Sequence, residues 1–199
     1  MGKEFILEKE LIFDPGLRVF EDTHFVVTSL SLAERVGKCS ERLIHHRVYS
    51  NQFRNKFLRK YYRQVPDVYA KIKEFLRAHG MYTPLSQSFL NLSASRCYKI
   101  YNLLWLDAKT EFWDLLHNTY AEELGWTKAE PEYFEDAEVC DFVASVLIYT
   151  HKQHMKLDDK GAKVKIKSVG RTLKNTQIRK KIKEFFAKIF HKNKDDIDL

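Results

Sequence analysis

Thr83-Pro84-Leu85-Ser86-Gln87-Ser88-Phe89-Leu90-Asn91-Leu92-Ser93-Ala94-Ser95-Arg96-Cys97-Tyr98-Lys99-Ile100-Tyr101-Asn102-Leu103-Leu104 is the stretch on which the reading of this 199-residue chain turns. Thr83-Pro84 opens a short helix to about Leu90, because proline is tolerated in a first turn where its missing N–H has no partner to lose. Asn91 tolerates the left-handed conformation that a tight turn demands, and Leu92 is an apolar plug. Ser93 is placed to cap a second helix running to about Asp107. That helix buries Cys97, Ile100 and Leu104 and presents Ser95, Arg96, Lys99 and Asn102. The pattern predicts two short helices separated by a turn.

The flanks extend a mainly α, multi-helix bundle. Upstream, Val68, Ile72, Phe75 and Leu76 give one apolar face between Pro66 and Gly80, a helix that would support the 83–107 pair, making a unit of 68–107. Ser40 to Gln64 is also helical in pattern, with Ile44, Val48, Phe57, Leu58 and Tyr61 near a 3.6 period. Downstream, helices are expected at about 109–124 and 136–156, with Pro131 in the acidic linker between them. A small β contribution is expected at the N-terminus, where Phe5 to Phe13, Leu17 to Phe20 and His24 to Val27 flank the turn Asp14-Pro15-Gly16, with helix from Leu30 to Val36. A second is expected at 163–167, where Lys163-Val164-Lys165-Ile166-Lys167 alternates strictly. Leu173 to His191 closes the chain as a helix with Ile178, Ile182, Phe185, Phe186 and Ile189 on one side. The organisation is thus a helical domain over 1–157 and a basic strand-plus-helix element over 158–199.

Composition limits the classes. A 44% hydrophobic fraction supports a buried core, and only 7 Gly and 4 Pro argue against a turn-rich β sandwich. No apolar run approaches the roughly 18 residues of a membrane span. The opening Met1-Gly2-Lys3-Glu4 has no signal-type apolar region. Cys39, Cys97 and Cys140 are too scattered for a disulfide framework or zinc knuckle. A cytoplasmic protein without a membrane span is expected.

The net charge of +7 is distributed in blocks: +7 over 1–104, −9 over 105–150 and +9 over 151–199. Basic blocks of this kind favour phosphate backbones or acidic partners, unless segments of opposite sign neutralise each other in the fold. Three sets of residues fit nucleic acid. The 83–107 pair has the outline of a helix-turn-helix, whose second helix would carry Ser95, Arg96, Lys99 and Asn102 into a major groove. An ordinary corner between helices has the same outline, and Gln87 stands where such a crossing usually needs a small residue. Arg54, Arg59, Lys60 and Arg63 interleave with aromatic residues, a mixture that neutralises phosphates and stacks bases when it is not simply core. Lys165, Lys167, Arg171, Lys180, Lys183 and Lys188 form the basic C-terminal surface, with the last three opposite the Ile/Phe stripe.

Catalytic signatures are weak. His151 and His154 share a helical turn but have no third ligand at a recognisable spacing, Cys140 lying eleven residues earlier. No phosphate loop, dinucleotide turn or nucleophile elbow occurs. The expectation is a non-catalytic nucleic-acid-binding protein with no cofactor and no metal, duplex DNA being preferred to RNA. The rivals are a helical adaptor docking protein partners through the acidic 105–150 block, and a nuclease with an unrecognised site. Regulatory, phage-related and genome-defence roles fit alike.

Overall fold

The computed structural model describes residues 2–38, 40–41 and 58–159, and its helices follow one another as α1 (Lys3–Glu8), α2 (Glu21–Leu32), α3 (Gln64–Ala78), α4 (Tyr82–Leu103), α5 (Leu106–Leu115), α6 (Ala121–Glu123), α7 (Ala137–Ile148) and α8 (His151–Asp159). A π turn, Leu116–Tyr120, joins α5 to α6, and two short 3₁₀ turns, Trp126–Lys128 and Pro131–Tyr133, lead to α7. No strand occurs among the described residues.

Helix α3 lies centrally, with α2 on one side and α4 on the other. Its Val65, Val68, Ile72 and Leu76 recur at helical spacing and are fully buried; each contributes about 1.5–3 kcal/mol by leaving water. Pro66 sits in its first turn with Asp67, as the sequence leads one to expect. Gly80, at φ +69°, ends it: Met81 N–H donates to Leu76 C=O (2.7 Å) and Gly80 N–H to Arg77 C=O (3.1 Å). This is the paired Schellman arrangement that favours glycine.

The two-helix reading of 83–107 is overturned. Tyr82–Leu103 is one uninterrupted helix, so the turn at Asn91 and the cap at Ser93 do not exist, and with them goes the helix-turn-helix unit. The reason lies in the buried set. Phe89, Leu90, Ser93, Ala94, Cys97, Ile100 and Tyr101 keep one 3.6-residue stripe in register through 91–93. Ser93 is buried mid-helix, its hydroxyl donating to Leu90 C=O (3.2 Å) and accepting from Trp126 Nε1 (3.3 Å). No glycine interrupts the segment, and Pro84 falls in the first turn. The opposite correction applies to 136–156, which is two helices. Asp136 caps α7 by accepting from Glu138 N (2.8 Å) and Val139 N (3.4 Å). Thr150 and Gln153 then form a reciprocal capping box: Thr150 N donates to Gln153 Oε1 (3.0 Å) and Gln153 N to Thr150 Oγ1 (3.4 Å).

The N-terminal β contribution is also overturned. Residues 3–8 and 21–32 are helical, and the expected His24–Val27 strand lies inside α2, which ends where a helix from Leu30 to Val36 was expected to begin. Thr28 and Ser29 are buried within it, satisfied by the carbonyls of His24 (2.9 Å) and Phe25 (2.6 Å). Only the Asp14-Pro15-Gly16 turn matches, Asp14 Oδ1 accepting from Gly16 N (2.7 Å), and Lys71 Nζ reaching the other oxygen (2.7 Å). The expected strand at 163–167 and helix at 173–191 lie outside the described residues. So does most of 40–64, of which 58–61 are helical.

The core centres on Trp113, Trp126, Tyr69 and Phe112, all fully buried. Beneath them Lys73, 5% exposed, donates from Nζ to the Glu123 carbonyl at the end of α6 (2.5 Å). Burial foremost, then Arg77, pulls its pKa down to about 8.

Candidate functional site

Two places invite a functional reading: the basic residues singled out in the sequence, and a cleft at the C-terminal end of α4.

Ser95, Lys99 and Asn102 share one side of α4, four and three residues apart, with Arg96 at its edge. Arg96 is half-buried, its guanidinium 5.0 Å above the ring of Phe20. It also lies close enough to the buried Tyr69 hydroxyl to oppose the rise that burial imposes on that phenol. Phe20 itself caps α2 at φ +55°, so Arg96 closes a packed joint between α4 and the start of α2. Lys99 is exposed and Ser95 half-buried, while Asn102 lies at the far end and lines the cleft.

Of the second basic set, Arg59 and Arg63 have partners within the chain, while Lys60 and Arg63 are exposed. The Arg59 guanidinium packs on the Trp105 ring, and Lys60 Nζ lies 5.2 Å over Tyr61. Arg63 holds Glu111 through two N–H donors, Nε to Oε1 and an Nη to Oε2 (2.6 Å), and Tyr62 O–H donates to the same carboxylate (2.5 Å). Arg63 first and Tyr62 second keep the Glu111 carboxyl below the usual carboxylate range. Burial, then Glu111, raises the Tyr62 phenol to about 12. Arg54, Lys165, Lys167, Arg171, Lys180, Lys183 and Lys188 lie outside the described residues.

The basic residues of the sequence gather in two runs: 42–57 holds 4 Lys+Arg and no Asp or Glu, and 160–199 holds 13 Lys+Arg against 4 Asp+Glu.

The cleft opens between α4, α7 and α8 and encloses about 490 Å³. Its aromatic wall comes from α4 and α7: Tyr98 and Tyr101 lie 5.4 and 5.5 Å from Phe142, centroid to centroid. Glu138 and Asp141 stand three residues apart on α7, hence on one helix face. Tyr98 O–H donates to Glu138 Oε2 (2.8 Å). Lys109 Nζ sits 5.0 Å over the Tyr101 ring. The α8 side brings His154, stacked on Trp113 at 4.3 Å, and Met155. Apart from Asn102 and His154, which were read for other roles, sequence reasoning passed over these residues. The available signal was the matched pair of three-residue spacings, Tyr98/Tyr101 and Glu138/Asp141.

The histidine pair is divided between two tasks. His151 is buried with Nε2 3.2 Å from the Tyr101 hydroxyl, and burial lowers its pKa; His154 stacks on Trp113. The Cys140 thiol is raised to about 11, chiefly by burial. Among the described residues, no three His, Cys, Asp or Glu side chains come together as a group able to hold a metal ion.

No protein-family model, curated protein or solved structure matches the chain. No described helix is long and apolar enough to cross a membrane.

Proposed function

We propose that this is a non-catalytic nucleic-acid-binding protein that grips phosphate through its two basic stretches, 42–57 and 160–199. The observation behind this reading is the clustering of basic residues in the sequence, 4 Lys+Arg with no acid in 42–57 and 13 against 4 in 160–199. Such lysines and arginines release counterions when they meet phosphate. Arg96 is packed on Phe20 and Arg63 is tied to Glu111, so these two arginines are engaged within the chain. Binding through phosphate is tolerant of sequence, with duplex DNA as the preferred form.

The test is an electrophoretic shift series of the full chain with duplex DNA, single-stranded DNA and RNA at two salt concentrations. Engagement of about six phosphates predicts a log–log salt slope of roughly −5 on duplex. Lys180→Glu with Lys183→Glu and Lys188→Glu should weaken binding alike for all duplex sequences. Absence of binding at low salt overturns the proposal.

That result would instead favour a helical adaptor, the reading suggested by a run of exposed apolar side chains near the N-terminus: Leu7, Ile12, Phe13, Val26, Leu30 and Val36. Isolated exposed apolar residues are ordinary, but this many within one N-terminal segment fits a surface covered by protein.

A further inference from the structure

We propose that Trp105, with the Arg59 guanidinium against it, is a stacking platform for an unpaired nucleobase. The inference rests on the nucleic-acid reading and adds the form of the ligand, a duplex carrying a single-stranded extension.

The aromatic residues interleaved with the basic ones in the sequence do not supply such a surface. Tyr62 is buried and Tyr61 packs against the core. The exposed ring comes from the joint between α4 and α5. Trp105 stands immediately before α5 and is 52% exposed even with Arg59 packed on its ring. The chain's other two tryptophans, Trp113 and Trp126, are fully buried. With a guanidinium on one face of the indole, the exposure belongs to the opposite face and the ring edge.

Two properties fit that face to a base. The first is charge. Arg59 and Lys60 follow closely on the acid-free stretch 42–57, so the phosphate-binding run continues up to the ring. Arg63 and Glu111 neutralise one another (2.6 Å), which leaves Arg59 and Lys60 against Asp107 beside the indole. A nucleotide stacked on the ring brings its phosphate to these cations. An apolar protein surface closing over the ring would desolvate them, at a cost in affinity.

The second property is rigidity. A guanidinium stacked on an indole is held by the ring's electrostatics, so the platform is formed in advance and loses little side-chain freedom when a base arrives. Every base has a π face, and stacking of this kind tolerates any sequence. The bases of a duplex are stacked on one another, whereas an extension offers them free.

The test titrates full-length protein with a blunt duplex and with the same duplex bearing a single-stranded thymidine extension, reading electrophoretic shift and tryptophan emission together. Trp113 and Trp126 are shielded by burial, so a base stacked on Trp105 quenches the exposed indole and protects it from acrylamide. The extended duplex is expected to bind about tenfold more tightly than the blunt one, in line with one base stacked on an aromatic ring. Trp105→Leu should reduce the extended duplex to the affinity of the blunt one and leave the blunt duplex unchanged. Trp105→Tyr, which keeps a ring, should retain most of the preference. Thermal unfolding checks that each variant is folded. If Trp105→Leu is not, protection of wild-type Trp105 from acrylamide by the extended duplex alone carries the test. Equal affinity for the two duplexes, absence of quenching, or a preference that survives in folded Trp105→Leu overturns the platform and leaves phosphate binding standing. Failure of both duplexes to bind at low salt overturns both readings. A dimer, measured by light scattering, that Trp105→Leu dissolves gives the ring to a protein contact and overturns the platform too.

Discussion

Replacing Asn91 by alanine and by glycine separates a continuous α4 from a turn at its middle. In the structure Asn91 is an interior helix residue whose amide fastens the acidic linker: Nδ2 donates to the Tyr133 carbonyl, and Oδ1 accepts from Glu135 N (2.9 Å). A third bond, Nδ2 to Gln87 C=O (3.1 Å), is local to the helix. Losing the two linker bonds costs about 1–3 kcal/mol at the usual net value of an intramolecular hydrogen bond. Alanine recovers roughly 0.6 kcal/mol of helix propensity, leaving a net loss of about 1–2 kcal/mol. Glycine loses the same bonds and stands about 1 kcal/mol below alanine in a helix interior, for a loss of about 2–3 kcal/mol. At a left-handed turn position the order would reverse, because glycine reaches positive φ without strain and alanine does not. Urea unfolding followed by far-ultraviolet circular dichroism and tryptophan fluorescence measures both variants. A glycine variant as stable as the alanine variant, or more so, refutes the continuous-helix argument.

Lys73 predicts an alkaline signature. Its folded pKa of about 8 lies below the unfolded value near 10.5, so between those limits the unfolded chain binds the extra proton and stability rises with pH. Unfolding curves at pH 8 and pH 10 should show the stability of wild type relative to Lys73→Met rising over that interval. His151 gives the corresponding effect in acid: burial lowers its pKa, so stability falls as pH drops below about 6.5, the ordinary histidine value, and His151→Phe should flatten that limb of the pH–stability profile. Phe112→Ala should cost about 3–5 kcal/mol in urea unfolding, since the ring is fully buried and faces Tyr62 edge-on at 6.1 Å. A loss under 1 kcal/mol would mean that the core centre lies elsewhere.

Helix content and most apolar faces were legible from sequence, because α3 and α7 bury the residues their periodicity nominates. Pro66, Gly80 and the Asp14-Pro15-Gly16 turn acted where local chemistry placed them. Two helix ends were misread, one because Ser93 was weighed as a cap without its surroundings and one because Thr150 was not weighed at all. Ser93 and Thr150 are both credible caps. Ser93 has Arg96 three residues on and sits on the apolar stripe, so it is swallowed by α4. Thr150 has Gln153 three residues on and completes a reciprocal box, so it starts a helix. The N-terminal strands failed because β-favouring residues such as Phe25, Val26 and Val27 were given more weight than the tertiary face that α2 lays against α3. Of the site, the basic residues were visible as charge, but not their internal partners: nothing local shows that Glu111 takes Arg63 or that Phe20 lies under Arg96. The cleft was hidden for the same reason, its walls coming from four helices.

The π turn at Leu116–Tyr120 gives the described helices a place where length can change without turning their faces. Phe112 and Trp113 are buried before it, Leu116 at its first residue, and Ala121 and Leu124 after it. A regular helix advances about 100° per residue, so without the widened turn the last two would swing away from the core. The surplus residue has been absorbed locally as a bulge. Removing one exposed residue there, Asn118 or Thr119, would draw the turn down to ordinary α geometry and leave both flanks in register. The same deletion at Asp107 or in the middle of α4 would rotate everything beyond it. A one-residue change of length is therefore expected to cost least at 116–120, which unfolding of the deletion variants would measure.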